Sequence, residues 1–507
     1  MKRFAVLFLS LLIIFPLLCV VPVRADEPMA ENIMDAAHIT HSSGFNATAY
    51  LYDGHEDWGA PSKGNCNFTL ENETGIGSLY FVFYKDQEFY TVTDNATGTV
   101  YTRETPFLHD FLNLEEAFGT IPTSITVTFA PKDVVINEIY AFTPGRVPGF
   151  VQQWKLPKDG NTDLLLFSAH GDDEHLFFAG ILPYYAGELG YQVQVVYLTD
   201  HHNNAQPTRL REMLDGLWAV GVDTYPVFGT YTDFLQKELE TAYRQYSSYG
   251  VTRDDLLGFV TDNIRRFKPK VVVTHDFKGE YGHGQHMVLA DVTAESVEIS
   301  MDPNKYPESA EKYGTWDVPK TYFHLYEENS IAMDWDQPLE RFNGKTAFQA
   351  SVYIGFKKHD SQYEDFEWYF RNCEKATEVE KHSPIYYGLY RSTVGPDVEK
   401  NDFFENVNTY QQDIEQAETE KLAAEEAAKK AEEEAKQKAE EEARKASEEA
   451  ARQESLAQEA TASQPTEPAE SNDPIPALLI RFWYVPAILA VLLIIGLILL
   501  CHKGPKK

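Results

Sequence analysis

The sequence contains little cysteine, with four residues in a chain of 507. Cys19 and Cys501 belong to the apolar ends of the chain, which leaves Cys66 and Cys373 for the body of the protein. A disulfide framework needs several paired thiols, and a cysteine-based metal site needs thiols at close spacing. Both classes are therefore excluded, although the sequence leaves open whether Cys66 and Cys373 pair with each other.

Positive charge is also scarce. The chain has 44 Lys and Arg against 78 Asp and Glu, which gives a formal net charge of -34. Binding to nucleic acid requires concentrated Lys and Arg that displace the counterions of the phosphates, so a nucleic-acid partner is excluded. Aromatic residues, by contrast, make up 13% of the chain, enough for buried cores and for surfaces that stack on sugars.

Long apolar runs occur at the two ends. Lys2 and Arg3 precede the first run, and small residues follow it, which predicts a signal peptide at residues 1–25 or, alternatively, a retained anchor. The run from Phe482 to Leu500, closed by lysines, predicts a transmembrane helix at 478–501 and a cytoplasmic tail at 502–507. Together they predict a single-pass protein of the cell membrane, with everything between the signal peptide and the helix outside the cell.

The body of the chain changes its pattern near residue 150. Residues 26–149 contain short aromatic and β-branched runs between turn-rich segments, which predicts an all-β jelly-roll sandwich. In residues 150–400, apolar strands such as Leu164–Ser168 and Val271–Thr274 alternate with helical segments, which predicts an α/β domain with a mostly parallel sheet.

Beyond residue 411 the composition reduces to Ala, Glu, Lys and Gln. Oppositely charged residues at i,i+4 spacing predict a charged helical stalk at 411–460, solitary or weakly self-associating, with coiled-coil character at most. The Ser, Thr, Pro and Glu of 461–475 predict a flexible linker. The predicted fold class is therefore multidomain: a β-sandwich, an α/β domain, a long charged helix and a C-terminal transmembrane helix.

Two polar clusters follow predicted buried strands. One is Ser168–Glu174, which contains a His-x-Asp-Asp pattern, and the other is Thr274–His286, which is rich in histidine. Either cluster alone is often only a helix cap. The carboxyl ends of parallel strands share one edge of a sheet, where ligands bind. Together the clusters offer three N/O ligands and one open position, as catalytic zinc requires.

These residues resemble the PIG-L or LmbE-like family of zinc-dependent de-N-acetylases over roughly residues 161–395. The resemblance rests on four motifs in order, namely Ala169-His170-Gly171-Asp172-Asp173-Glu174, Arg209-x-x-Glu212, Gly279-Glu280-Tyr281-Gly282 and His283-Gly284-Gln285-His286. It implies a Rossmann-like domain that removes acetyl groups from N-acetylglucosamine-type sugars. Gly171 and Gln285 stand where the family has Pro and Asp, and neither change removes a ligand.

The resemblance also implies a role for particular residues. The metal ligands for Zn²⁺, or another divalent ion, are His170, Asp173 and His286. The general base is Asp172, and the groups that stabilise the oxyanion or protonate the amine are His283 and Tyr281. The predicted substrate-binding residues are Arg209, Glu212 and Asp276, where the first two are equally consistent with an ion pair on a helix surface.

The N-terminal segment Tyr50–Trp58 resembles discoidin or galactose-binding-like domains, either as a sugar-binding module or as a structural spacer. The leading hypothesis is a deacetylase acting on an N-acetylated glycan or glycolipid. The alternatives are a non-catalytic glycan-binding or adhesion protein, and another metal-dependent ester or amide hydrolase. The glycan, the native metal, the oligomeric state and the host are left open.

Overall fold

The computed structural model describes residues 28–34, 39–200 and 207–461. The chain divides into two compact units, Met1–Ala417 and Glu418–Lys507. The first unit carries both sheet systems and the polar clusters. The second unit, within the described residues, consists of helix only.

The N-terminal part of the first unit is a sandwich of two antiparallel sheets, with strand orders β1-β3-β8-β5-β6 and β2-β9-β4-β7. Side chains alternate between buried and half-buried along β5 and β8, as expected for strands with one face on the core. The short helix α1 spans Leu114–Phe118. The strands are β1 (Ile39–His41), β2 (Ala60–Ser62), β3 (Asn67–Glu71), β4 (Ser78–Phe83), β5 (Phe89–Asp94), β6 (Val100–Glu104), β7 (His109–Asn113), β8 (Ser124–Phe129) and β9 (Val134–Phe142).

The second part of this unit contains a seven-stranded sheet of order β12-β11-β10-β13-β14-β16-β15. Its first five strands pair in parallel, and the last two pair antiparallel. The strands are β10 (Leu164–Ser168), β11 (Val193–Thr199), β12 (Val227–Tyr231), β13 (Val271–Thr274), β14 (Lys320–His324), β15 (Ser330–Ala332) and β16 (Tyr386–Ser392). The bounds of β10 and β13 are those of the strands predicted from sequence.

Helices cover this sheet, and every residue of β10, β11 and β13 is buried. Continuous apolar strands are characteristic of a parallel sheet that is covered on both faces. The helices are α2 (Pro207–Ala219), α3 (Leu239–Ser248), α4 (Arg253–Phe267), α5 (Gly284–Ile299), α6 (Pro307–Tyr313), α7 (Ala347–Ala350), α8 (Asp360–Phe370) and α9 (Tyr410–Thr461).

The strand order changes direction next to β10. From β10 the chain adds β11 and β12 on one side, then returns to place β13 and β14 on the other side. The loops after β10 and β13 therefore leave the same sheet edge in opposite directions and open a crevice between them. Both polar clusters follow these two strands.

The sandwich contacts the α/β part through polar and aromatic side chains. Arg211 of α2 donates to the Glu56 carbonyl and pairs with the Asp57 carboxylate at 2.5 Å. Phe107 stacks on Tyr225 with ring centroids 4.6 Å apart. Within the first unit, the two parts thus form a continuous packed structure.

The fold-class prediction is wrong in its last element, the C-terminal transmembrane helix. Among the described residues, no helix has both the length and the apolar character needed to cross a bilayer. A helix needs about 20 consecutive, predominantly apolar residues to cross the hydrocarbon core, and no helix within the described ranges has them. Residues 478–501, where it was predicted, lie outside the described part. The predictions of a cell-membrane localisation and of a membrane partner depended on this helix, and they are withdrawn together with it.

The longest described helix is α9, and it overlaps the predicted stalk at 411–460. Its described side chains from Glu418 onward are exposed and mostly charged or alanine, so they support no coiled coil. The predicted signal peptide at 1–25 lies outside the described ranges, and so does the predicted linker at 461–475 apart from its first residue. Cys66 and Cys373 are both buried free thiols, and burial raises the pKa of Cys66 to about 11.

A buried ion pair anchors β14. Lys320 Nζ lies 2.6 Å from Asp397 Oδ1, and the Tyr322 hydroxyl donates to the other oxygen of that carboxylate at 2.6 Å. We expect Lys320→Met to lower the free energy of unfolding by about 3–5 kcal/mol, because Asp397 would keep its charge without its partner. Denaturant unfolding measures the change.

Two variants control this experiment. Lys278→Met removes the exposed pair with Glu327 and should leave the midpoint of unfolding unchanged. The double variant Lys320→Met with Asp397→Asn should recover part of the loss. A double variant as unstable as the sum of its two single variants would contradict the pairing.

Candidate active site

The two polar clusters meet because β10 and β13 are neighbours. Leu164, Leu165 and Leu166 pair in parallel register with Val271, Val272 and Val273, so both strands end at the same level. His170 and Asp173 follow β10, whereas His275 and Glu280 follow β13. Helix α5 then carries His286 back to this sheet edge. Three stretches of chain therefore converge on one buried volume.

Three electron-rich atoms face one another at its centre. His170 Nδ1 lies 3.2 Å from Asp173 Oδ2 and 3.2 Å from His286 Nε2, and the third side of the triangle, His286 Nε2 to Asp173 Oδ2, is 3.3 Å. In tetrahedral zinc sites the metal–ligand distances of roughly 2.0–2.1 Å imply ligand–ligand distances of roughly 3.3 Å. The spacing of these three atoms therefore fits a tetrahedrally coordinated ion.

His286 is oriented by Glu280. Its Nδ1 lies 2.7 Å from Glu280 Oε2, an acceptor, so the ring proton belongs on Nδ1 and the lone pair on Nε2. Nε2 is the atom that faces Asp173. A carboxylate behind a ligating histidine is a usual arrangement at zinc sites, because it fixes both tautomer and ring orientation.

His170 is oriented by Gln285. The Gln285 amide nitrogen donates to the Thr232 carbonyl, and Gln285 Oε1 accepts from the Phe234 N–H, which fixes the orientation of the amide. Gln285 Oε1 also lies 3.1 Å from His170 Nε2. The ring proton of His170 is therefore on Nε2, and Nδ1 presents a lone pair to the centre. Gln285 thus performs the orienting role without the charge that Asp would bring.

Other histidines surround His286, and two overlapping groups of described side chains are close enough to hold an ion: His170, His283 and His286, and Asp173, His275 and His286. A neutral imidazole has one lone pair. His275 Nε2 accepts the Ala169 N–H at 2.9 Å, and His283 Nδ1 accepts the Gln285 N–H at 3.3 Å. Both lone pairs are already used, so the atoms that remain available to an ion are His170 Nδ1, Asp173 Oδ2 and His286 Nε2.

Glu280 accepts four hydrogen bonds although it is fully buried. The donors are His286 Nδ1 at 2.7 Å, His275 Nδ1 at 2.8 Å, His324 Nδ1 at 2.6 Å and the Asp276 N–H at 3.2 Å. Burial alone would raise the pKa of Glu280, but the surrounding histidines hold it well below its ordinary value. The carboxylate is therefore ionised and positions the imidazoles of three chain segments.

The field at the centre favours a positive charge. Burial lowers the pKa of His286, yet the carboxylates of Asp173 and Glu280 more than offset this effect and raise it to about 9. His170 shows the same balance, with Asp233 and Asp173 raising its pKa well above the ordinary value. A site that binds a proton this strongly in the absence of metal is electrostatically suited to a divalent cation.

Asp172 lies beside this centre and is paired with Arg209. Arg209 Nη2 donates to Asp172 Oδ2 at 3.0 Å, and Nη1 lies 3.5 Å from Asp233 Oδ2. Burial raises the pKa of Asp172, and Arg209 opposes that effect. The Arg209 side chain, 16% exposed, thus lies against the buried Asp172 carboxylate beside the cluster.

His283 and Tyr281 flank the opposite side. The His283 ring centroid is 4.7 Å from those of His170 and His286, and Tyr281 packs at 5.4 Å from His283. Since His283 Nδ1 is an acceptor, its Nε2 carries the proton. Burial and the two neighbouring imidazoles lower the pKa of His283 to about 2, so the ring is neutral. Tyr281 has a positive φ of 44°, which for a non-glycine residue indicates local strain.

Two predicted substrate residues, Glu212 and Asp276, use their side-chain carboxylates in other contacts. Glu212 accepts hydrogen bonds from the Ser361 backbone and hydroxyl, at 3.0 and 2.6 Å. Asp276 accepts from the Lys278 N–H at 3.1 Å. Among the described residues, neither carboxylate hydrogen-bonds to His170, Asp173 or His286. The substrate-binding roles of Glu212 and Asp276 therefore stay predictions.

The sequence analysis assigned no role to Glu280, His324 or Asp233. Glu280 and Asp233 each follow a strand of the parallel sheet, and His324 is the last residue of β14. The position after β12 would have indicated Asp233 had that strand been predicted. No local sequence pattern marks His324, because only the strand order places it beside Glu280.

Comparison with known proteins agrees with this geometry. The family description "PIG-L: GlcNAc-PI de-N-acetylase" matches residues 165–297. This range contains both polar clusters and all nine residues predicted for the site. Residues 165–297 form a PIG-L-family domain. The predicted family and the predicted enzyme class, a hydrolase of the deacetylase type, are confirmed.

Curated relatives match a larger share of the chain than the PIG-L domain does. A Streptomyces avermitilis protein named 1D-myo-inositol 2-acetamido-2-deoxy-alpha-D-glucopyranoside deacetylase is 26% identical over 291 residues, 48% of this chain and 97% of its own. A Mycobacterium leprae protein of the same name is 29% identical over 186 residues, 32% of this chain and 59% of its own. The chain thus spans only about three fifths of the second relative.

Among solved structures, the N,N'-diacetylchitobiose deacetylase of Pyrococcus horikoshii shares 16% identity with this chain. The likeness covers 45% of this chain and 82% of that one, with a TM-score of 0.29.

The orientation of His286 by Glu280 can be tested by metal affinity. We expect Glu280→Gln to weaken Zn²⁺ binding by about 10–100-fold, because the amide no longer holds the Nε2 lone pair toward Asp173. Competition with a fluorescent chelator measures the dissociation constant. Glu327→Gln, the same substitution at an exposed carboxylate, is the control. Equal affinities for the two variants would contradict the orienting role.

Proposed function

We propose that this chain is a metal-dependent deacetylase that hydrolyses the N-acetyl group of N-acetylglucosamine-type sugars, carried on a glycan or a glycolipid. The observation that supports this most strongly is the triangle of His170 Nδ1, Asp173 Oδ2 and His286 Nε2, with a buried carboxylate beside it. The names of the relatives support the substrate class.

His170, Asp173 and His286 are the proposed metal ligands, and zinc is the proposed ion because two imidazoles and one carboxylate are ligands that zinc prefers. When bound, such an ion lowers the pKa of a coordinated water to about 7 and polarises the amide carbonyl. Three protein ligands leave the remaining position open for water or substrate.

Asp172 is the proposed general base. It follows the ligand His170 by two residues and precedes the ligand Asp173, so it lies at the rim of the same turn. It accepts a proton from the attacking water and later delivers it to the departing amine. Arg209 holds the Asp172 carboxylate through Oδ2, which leaves the other oxygen for the water.

His283 is the proposed oxyanion donor. His283 Nδ1 accepts a hydrogen bond from the Gln285 N–H, which keeps the ring proton on Nε2. The neutral ring can therefore donate a hydrogen bond to the tetrahedral intermediate without competing for the metal. Tyr281 packs against His283 and is proposed to assist it or to protonate the amine. Asp233 and Arg209 line the half-exposed side of the cluster and are proposed to receive sugar hydroxyls.

The base assignment is tested with Asp172→Asn. We expect acetate release from N-acetylglucosamine oligomers to fall by about 10²–10⁴-fold while the metal content stays the same, because the amide cannot accept the proton of the water. Asp365→Asn, on the exposed face of α8, is the matched control and should retain full activity.

Two outcomes would contradict the proposal. Asp172→Asn with wild-type activity would remove the base assignment. Wild-type protein that holds its metal but releases no acetate from any N-acetylated sugar, while it cleaves esters, would instead support the alternative metal-dependent hydrolase.

His283 allows its catalytic and structural roles to be separated, because its side chain also caps α5. We expect His283→Asn to keep the cap, since Asn accepts the Gln285 N–H, and to lower kcat by about 10²–10³-fold through loss of the Nε2–H donor. Thermal unfolding and steady-state kinetics measure the two effects. Unchanged kcat in His283→Asn would contradict the oxyanion role.

A further inference from the structure

A second cluster of metal-ligating side chains lies outside the proposed active site. It consists of Glu174, His175 and His359, and each of the three side chains is completely buried. Glu174 and His175 follow Asp173 in the turn after β10, whereas His359 immediately precedes α8. The proposed deacetylation uses none of them.

The donor atoms of this cluster converge. Glu174 Oε1 lies 3.9 Å from His175 Nε2 and 3.8 Å from His359 Nε2, and the three ligand atoms lie within 4.8 Å of one another. At these separations the atoms do not hydrogen-bond to one another. They surround a common point at roughly the distance that zinc ligands occupy, so shifts of a few tenths of an ångström would complete the coordination.

The imidazole of His175 lacks the hydrogen bonds that burial demands. Among the described residues, neither ring nitrogen of His175 has a hydrogen-bond partner. The Glu174 carboxyl interacts with the Tyr197 hydroxyl and with its own backbone N–H. Each unsatisfied buried polar group costs about 1–3 kcal/mol, so the two ring nitrogens of His175 call for a bound partner.

Two glycines shape the space around the imidazoles. A Cβ on Gly216 of α2 would lie 2.8 Å from His175 Nε2 and 2.9 Å from His359 Nε2, and a Cβ on Gly355 would lie 2.4 Å from the His175 ring. Any larger residue at either position would displace the rings. Because Gly216 has no side chain, both Nε2 atoms can lie side by side against α2. The Glu174 carboxylate lies within 4 Å of each of them.

We propose that Glu174, His175 and His359 bind a second divalent cation, of the zinc class, which has a structural role. The two neutral imidazoles supply nitrogen ligands to the cation, and the Glu174 carboxylate supplies oxygen ligands and a negative charge. If Glu174 binds through both oxygens, the cation has four donor atoms. The site is closed to solvent, as structural zinc sites are. It ties the turn that carries Asp172 and Asp173 to the segment before α8.

The proposal is tested by metal content in the untagged full chain, loaded with Zn²⁺ alone and then dialysed. Elemental analysis should give two zinc ions per chain for the wild type, one for His359→Gln, one for His286→Gln and none for the double variant. Thermal unfolding should show a lower midpoint for His359→Gln than for His286→Gln, because only the former loses a structural ion.

Two results would overturn the proposal. The first is one zinc ion per wild-type chain, with the same content in His359→Gln. The second is anomalous diffraction at the zinc edge that shows no peak between Glu174 and His359 in crystals of the zinc-loaded wild type. This second measurement uses only the wild-type protein, so it tests the proposal even if His359→Gln does not fold. Neither result bears on the deacetylase, whose own ion is reported by His286→Gln.

Discussion

The arrangement of the site depends on one constraint, that a neutral imidazole has a single lone pair and a single N–H. Four histidines crowd within a few ångströms, and their hydrogen-bond partners divide them into two classes. His275 and His283 accept backbone N–H groups, while His170 and His286 donate to Gln285 and Glu280. Only the second pair has lone pairs left for a cation, and Asp173 completes their triangle.

The fold supplies these partners through its strand order. Because β10, β13 and β14 are adjacent and parallel, Ala169, His275 and His324 arrive at one sheet edge from distant parts of the sequence. Glu280 then accepts from residues of three segments at once, so its burial costs little and its charge becomes a fixed part of the site. The antiparallel strands β15 and β16 extend the sheet away from this edge.

Local patterns predicted what depends on local chemistry. Continuous apolar runs predicted β10 and β13 with their bounds, and the polar residues after them predicted a metal site. The resemblance to the PIG-L family implied the ligands His170, Asp173 and His286. What could not be predicted depends on tertiary neighbours: Glu212 turns to Ser361, His324 reaches Glu280, and Asp233 meets Arg209 only in the folded chain. The transmembrane helix, which was predicted from composition alone, has no counterpart among the described helices.

The central claim is that tautomer and orientation, set by Glu280 and Gln285, select His170, Asp173 and His286 as the ligands. Crystallography of the zinc-loaded protein with anomalous data at the zinc edge tests it most directly. The account predicts an ion about 2.0–2.2 Å from His170 Nδ1, Asp173 Oδ2 and His286 Nε2, with the Ala169 N–H still donating to His275. An ion bound through His275 or His283 in place of either histidine would contradict it.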